Sequence, residues 1–213
     1  MVFAGAGSGK TRVITCRIAR LLAEGVPAYR ILSVTFTNKA AREMKDRVIG
    51  MVGDGAKDLW LGTFHSVCAR LLRIDGRLIG LDPNYVVYDD EDQMKLVRDL
   101  IRSKNLDDKT IQPRAVLSEI SRAKEKLVSP DAYRDRASGF FEQRVAEIYP
   151  LYAQSLTKAS ALDFDDIILY SVRLLEQRED ARDKYQERFL HVLVDEYQDV
   201  NFSQYRLAQL LAG

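Results

Sequence analysis

Cysteine is nearly absent, with two residues in 213, Cys16 and Cys68. Both stand among aliphatic and helix-forming residues, outside any Cys-x-x-Cys or Cys/His spacing. That excludes a disulfide scaffold and a thiolate metal knuckle, and predicts two small core residues in a reducing compartment. Long apolar runs are missing as well, for none approaches the ~18 residues of a membrane span. The opening Met1-Val-Phe-Ala-Gly5 lacks the basic start and the apolar stretch of roughly 7 to 15 residues that mark a secretory signal. The expectation is a cytoplasmic protein with no membrane partner. No internal repeat or low-complexity tract is visible. With 46% apolar and 30% charged residues, the composition is that of a folded globular chain. At roughly 150 residues per domain, the length predicts one domain with a sizeable insertion, or two small ones.

A net charge of +1 points to no particular partner, but its distribution is informative. Residues 1–77 carry 13 Lys and Arg against 6 Asp and Glu, whereas residues 78–213 carry 19 against 25. The basic excess sits in the first third, where phosphate ligands are to be sought.

Short apolar runs at Val2 to Ala4, Ile31 to Phe36, Leu59 to Gly62, Tyr85 to Val87 and Val192 to Asp195 read as strands, mostly apolar on both faces. Between them, Val13, Ile14, Ile18, Leu21 and Leu22 share one helix face, and Ala40, Met44, Val48 and Met51 share another. Strand alternating with helix predicts a parallel sheet covered on both sides, an α/β fold. From Asp89 to Ser160 no strand is evident, only amphipathic stretches such as Met94 to Ile101, Val116 to Ile120 and Phe140 to Leu156. An all-helical insertion is therefore expected, punctuated by Pro113, Pro130 and Pro150, the first two at helix starts, and broken at Ser138-Gly139. After it, Asp163 is placed to cap a helix opening Phe164-Asp165-Asp166, a reading preferred to catalysis for this acidic run.

Ala4-Gly-Ala-Gly-Ser-Gly-Lys-Thr11 follows a short apolar run and opens an amphipathic helix, the setting a phosphate-binding loop requires. Gly5, Gly7 and Gly9 allow turns that let successive N–H groups of Ala4, Gly5, Ala6, Gly7, Ser8 and Gly9 converge on an anion at a helix N-terminus. Lys10 is then the partner of the β- and γ-phosphates of ATP, and Thr11 offers its hydroxyl to Mg²⁺. The strict pattern begins with glycine; here Ala4, a small residue ending the strand, stands instead.

Such a loop needs a carboxylate for the metal at the end of a neighbouring buried strand. His191-Val-Leu-Val-Asp195-Glu196 supplies it. Asp195 is placed to bind Mg²⁺ directly or through water, and Glu196 to orient and deprotonate an attacking water. Adjacent carboxylates at a buried strand end repel unless a cation is present. The plain alternative is a solvated acidic loop.

Taken together, Ala4 to Thr11 and Val194-Asp-Glu-Tyr-Gln-Asp199 resemble the UvrD/Rep-type helicases of superfamily 1. Thr35-Phe-Thr-Asn-Lys-Ala-Ala-Arg-Glu-Met44 looks like that family's motif Ia and Gly62-Thr-Phe-His-Ser66 like its motif Ib. The four motifs, in order, cover nearly the whole chain. The resemblance implies a RecA-like P-loop NTPase domain with a parallel sheet, interrupted by a helical insertion subdomain. Its segments are residues 1–87 and 161–213 for the motor domain and 88–160 for the insertion, with Leu162-Asp-Phe-Asp-Asp166 similar to the sequence that re-enters the core.

The resemblance further implies that Lys10, Glu196 and Gln198 serve catalysis, with Gln198 sensing the γ-phosphate, that Thr11 and Asp195 hold Mg²⁺, and that Arg12 flanks the nucleotide base. It assigns single-stranded DNA to motifs Ia and Ib, through stacking by Phe36 and hydrogen bonds from Thr37, Asn38, Thr63 and His65, with Phe64 as a further contact. Backbone N–H groups at the helix start near Asn38 add phosphate affinity without reading sequence. Each of these residues also has a structural reading: Thr37 or Asn38 as a helix cap, Phe36 as core, His65 as the partner of a buried backbone group.

The family's upstream glutamine motif is expected before Ala4. Motif III, the second motor domain with its arginine fingers and the duplex junction it engages are expected beyond Gly213. Such arginines contribute ~10³ to 10⁵ in rate, so this stretch alone is expected to bind nucleotide weakly and not to unwind DNA. The implied whole is a 3′-to-5′ DNA helicase. Alternatives are a recombination-type helicase-nuclease subunit, which usually carries a larger insertion, and a nucleic-acid-binding remnant without ATPase function. Protein partners are not readable from the residues.

Overall fold

The computed structural model describes residues 9–106 and 111–213. The strand predicted at Val2 to Ala4 and the loop residues up to Ser8 lie outside the described residues. In chain order come α1 (Lys10–Ala23), β1 (Ile31–Thr35), α2 (Asn38–Val52), β2 (Trp60–Thr63), α3 (Phe64–Asp75) and β3 (Val86–Val87). Then follow α4 (Asp90–Ser103), α5 (Pro113–Glu125), α6 (Pro130–Arg134), α7 (Phe140–Lys158) and β4 (Ala161–Leu162). Last are α8 (Phe164–Gln177), α9 (Glu179–Arg188), β5 (His191–Val194) and α10 (Phe202–Ala212).

β1 lies between two parallel neighbours, paired Leu32 to Trp60 with β2 and Ile31 to His191 with β5. With both edges bonded and both faces covered, all five of its residues are buried, the polar Ser33 and Thr35 included. Ile31 joins Ile18, Leu21, Met44 and Val48 beneath α1 and α2. Leu32 and Val34 join Val67, Leu71, Val172, Leu175 and Leu207 on the layer of α3, α8 and α10. The period of two along β1 thus feeds two apolar cores, each buried aliphatic contributing about 1.5–3 kcal/mol.

Several expectations need correction. Cys16 is exposed on α1 and only Cys68 is a core thiol. Val13 and Met51, placed on buried helix faces by periodicity, are 48% and 51% exposed. β5 packs apolar residues on both faces as expected, Val192 and Val194 on one core and Leu193 on the other, but is only half-buried. Tyr85 to Val87 does not extend the main sheet: β3 pairs instead with β4, a strand too short to be read from sequence, with Val86 opposite Ala161 and Val87 opposite Leu162.

The stretch between β3 and β4 is helical where described and has a core of its own, including Val97, Ile101, Val116, Ile120, Val145, Tyr149 and Tyr152. Asp89 caps α4 by accepting from the N–H groups of Glu91 and Asp92. Pro113 and Pro130 occupy the first turns of α5 and α6 as expected, where a missing N–H costs nothing. Pro150 does not end a helix but lies inside α7, whose 19 residues continue through it. Gly139 is the cap residue that starts α7, and Asp163 caps α8 by accepting from Asp166 N–H.

Asp163 does more than cap. Lys124 Nζ, on α5, lies 2.6 Å from Asp163 Oδ2 and 2.7 Å from Asp166 Oδ1, and all three side chains are buried. Tyr152 of α7 donates to Asp163 Oδ2 at 2.8 Å, and Gln93 of α4 donates to the Tyr88 carbonyl at 3.1 Å beside it. This network fastens the helical stretch to the start of α8. Among the described residues no helix is long and apolar enough to cross a membrane.

Candidate functional site

Because β1, β2 and β5 are parallel, the residues that follow them emerge at one edge of the sheet, the edge where open α/β folds bind ligands. Thr35 and Thr63 are level in the ladder, and Asp195 N–H donates to the Val34 carbonyl at 2.9 Å, carrying the β5 pairing one residue further. Phe36, Thr63 and Asp195 are thus brought to the same rim.

α1 points its N-terminus at this rim. Gly9 caps it in the left-handed region at φ 81°, a conformation that glycine adopts without a Cβ penalty. Thr11 Oγ1 donates to Asp195 Oδ2 at 3.4 Å across 184 positions of sequence, and Asp195 is 3% exposed. At that length the bond marks proximity rather than strength. A hydroxyl and a carboxylate are hard oxygen donors, the set that suits Mg²⁺. Among the described residues no group of three or more His, Cys, Asp or Glu could hold a metal. A cation seated by Thr11 and Asp195 would therefore complete its shell with water or ligand oxygens, as Mg²⁺ habitually does. The residues present fit the ion.

After Asp195 the chain turns sharply. Glu196 has φ 48° and ψ 46°, a left-handed conformation that costs a non-glycine residue roughly 1–2 kcal/mol and concentrates at functional sites. Its N–H donates to Asp195 Oδ1 at 3.1 Å. Gln198 Nε2 donates to the Glu196 carboxylate and, at 3.2 Å, to Asp199 Oδ2. Glu196 and Gln198 are thereby coupled directly.

At the neighbouring strand ends, several residues have local structural duties. Thr37 caps α2, accepting from Ala40 N–H at 3.1 Å, and Asn38 opens that helix. Thr63, buried, caps α3 by accepting from Ser66 N–H at 3.2 Å. Phe36 is half-buried, and its ring meets Phe64 edge-on at 5.8 Å. Phe64 is 2% exposed and belongs to the core, so its ring supports Phe36 from below instead of facing a strand. His65 packs edge-on against Phe164 at 5.9 Å, and burial lowers its pKa, keeping the imidazole neutral at neutral pH. Phe164, 47% exposed, joins this rim without a sequence signal of its own, because an aromatic directly after the capping Asp163 reads only as the start of a helix.

Ala4, Gly5, Ala6, Gly7 and Ser8, and the side chain of Lys10, lie outside the described residues. Arg12 is exposed on α1.

All of residues 1–213 match the family UvrD/REP helicase N-terminal domain. The chain is 45% identical over its whole length to the ATP-dependent DNA helicase PcrA of Bacillus subtilis (strain 168). It is 46% identical to PcrA of Staphylococcus epidermidis and 45% identical to PcrA of Staphylococcus aureus, again over its whole length. In each case it spans 29% of the relative's length.

Proposed function

Because this chain belongs to the UvrD/REP helicase N-terminal domain family, we propose that it is the nucleotide- and strand-binding part of an ATP-dependent, 3′-to-5′ DNA helicase. In this reading residues 1–87 and 161–213 form a RecA-like motor domain, and 88–160 form a helical subdomain inserted into it. The observation that carries the proposal is the approach of Thr11 Oγ1 to Asp195 Oδ2, two motifs distant in sequence meeting at a helix N-terminus.

Each residue then has a role that its chemistry suits. Lys10 pairs with the β- and γ-phosphates, and the N–H groups from Ala4 to Gly9 surround them. Mg²⁺, when bound by Thr11 and Asp195, neutralises phosphate charge. Glu196 accepts the proton of the attacking water, and its left-handed backbone fixes where that carboxylate points. Gln198, bonded to Glu196, responds to the state of the γ-phosphate. Arg12 borders the base. Single-stranded DNA crosses the rim, with Phe36 as the stacking platform and the free O–H of Thr37, the Asn38 amide and the α2 N-terminus as phosphate and sugar contacts. His65 and Thr63 border the strand, and Phe64 holds Phe36 in place. The duplex junction and the second motor domain belong to the longer protein, as do the arginines that complete hydrolysis.

The test is equilibrium binding of Mg–ATP and of a labelled oligonucleotide to the wild-type chain and to Lys10→Ala. Lost nucleotide binding with oligonucleotide binding kept supports the motor reading. Absence of nucleotide binding in the wild type overturns it in favour of a nucleic-acid-binding remnant.

A further inference from the structure

Along the outer edge of β2, which pairs only with β1 among the described residues, the surface opens into a recess of about 380 Å³. Its lining includes Lys45 of α2, Lys57, Trp60, Ser66 and Arg70 of α3, and Arg188 of α9. Four cations thus face one carboxylate, Asp58. None of the four forms an ion pair, so their charge is not neutralised within the described residues.

Trp60 organises the recess. Its ring is 2% exposed and wedged edge-on against Phe189 at 5.1 Å. The Arg70 guanidinium sits 3.9 Å from the centre of that ring and the Arg188 guanidinium 4.9 Å from it. A guanidinium stacked on an indole keeps its in-plane N–H donors free for an oxyanion. Two cations on one ring repel each other unless an anion joins them. Two buried donors of the same cluster, Trp60 Nε1 and Arg188 Nε, have no hydrogen-bond partner, a rarity in folded proteins.

The recess adjoins the proposed strand path. Ser66 lines it and directly follows His65. Trp60 and Thr63 are the two ends of β2, about 10 Å apart at the rise of an extended strand. We propose that this recess is a second phosphodiester-binding site, holding the backbone of a single strand that continues from the Thr63–His65 loop along β2. The inference rests on the strand-binding reading above. Unpaired cations lining a groove are what a nucleic-acid backbone selects, and the Trp60 ring, buried beneath the guanidiniums, positions them and offers no face to a base.

The experiment measures binding of labelled oligothymidylates, short ones of about 4 nucleotides and long ones of about 16, over a range of salt. The proteins are the wild-type chain, Arg70→Ala, and Lys45→Ala/Lys57→Ala, the last altering only exposed, unpaired lysines. Expected is unchanged affinity for the short oligonucleotide and several-fold weaker binding of the long one in both variants. The salt slope for the long oligonucleotide should become shallower by about 0.7 for each phosphate that the variant no longer neutralises. Unchanged long-oligonucleotide affinity and slope in the lysine variant, with short binding intact, overturns the recess but leaves the rim reading standing. No binding of either oligonucleotide by the wild type overturns both. Displacement of the long oligonucleotide by polyglutamate as readily as by unlabelled DNA overturns the proposal in favour of an acidic protein segment.

Discussion

Lys124 Nζ and Asp163 Oδ2 lie 2.6 Å apart, each with its side chain 2% exposed, although 39 positions separate them. Burial alone would lower the Lys124 pKa, but the charges of Asp166 and Asp163 and its hydrogen bonds to both carry it upward, so the ammonium stays charged. Removing it with Lys124→Met leaves two buried carboxylates without a counter-ion, which should cost about 3–5 kcal/mol. Urea unfolding measures this. A loss under about 1 kcal/mol would mean that the carboxylates find water instead.

Asp165, beside this network, has its carboxyl pushed up to about 6 from an ordinary 3.8, by burial before any other cause and despite a hydrogen bond from Ser121. A carboxyl raised in the folded state contributes stability that is fully present below about 4 and lost as pH rises through about 6. At 1.36 kcal/mol per pKa unit, discounted for the partial exposure of the group, the loss is roughly 2 kcal/mol. Asp165→Asn removes this dependence. The variant should therefore gain about that much on wild type between pH 4 and 7 in parallel denaturation series, and a constant difference would refute the assignment.

Gly62 has no room for a side chain as things stand: an added Cβ collides with Ser66 Oγ, which donates to the Thr63 carbonyl at 2.9 Å. Gly62→Ala should turn that hydroxyl away and cost about 1 kcal/mol, the worth of one hydrogen bond. Ser66→Ala gives up the same hydrogen bond, so made in the Gly62→Ala background it should cost little further. A double-mutant cycle reads the coupling directly, and additive losses would place the strain elsewhere.

Phe36 and Phe64 touch, yet their substitutions should separate cleanly. Phe36→Ala should weaken oligonucleotide binding by about 1–3 kcal/mol with a smaller effect on folding. Phe64→Ala, which empties a core position, should cost about 3–5 kcal/mol of stability. Paired melting and fluorescence-anisotropy titrations distinguish the two, and equal effects on both readouts would contradict the division.

What the sequence shows and what it hides follow from interaction range. β1, α2, the cap at Asp163 and the helix start at Pro113 are legible because periodicity and helix-start chemistry act within a few residues. β3 and β4 are two residues each, too short for a period of two to register, and their partnership spans 75 positions. Lys124 reads as one more solvated charge on an amphipathic helix, since nothing local announces that Asp163 and Asp166 will bury it. Pro150 reads as punctuation because local rules disfavour proline in a helix interior, whereas α7 continues through it with Tyr149 and Tyr152 packed in the core. At the candidate site, Thr11 and Asp195 are identifiable singly from their motifs, and only the fold shows their approach. The left-handed Glu196 and the placement of Phe164 against His65 have no sequence signature at all.

The account stands on Thr11 and Asp195 sharing one magnesium–nucleotide site, and titration of a fluorescent ATP analogue with and without Mg²⁺ tests it most directly. Wild type should bind substantially tighter with Mg²⁺ than in EDTA, and Asp195→Asn should lose most of that gain while keeping its metal-free affinity. An Asp195→Asn chain that responds to Mg²⁺ as wild type does would contradict the shared site.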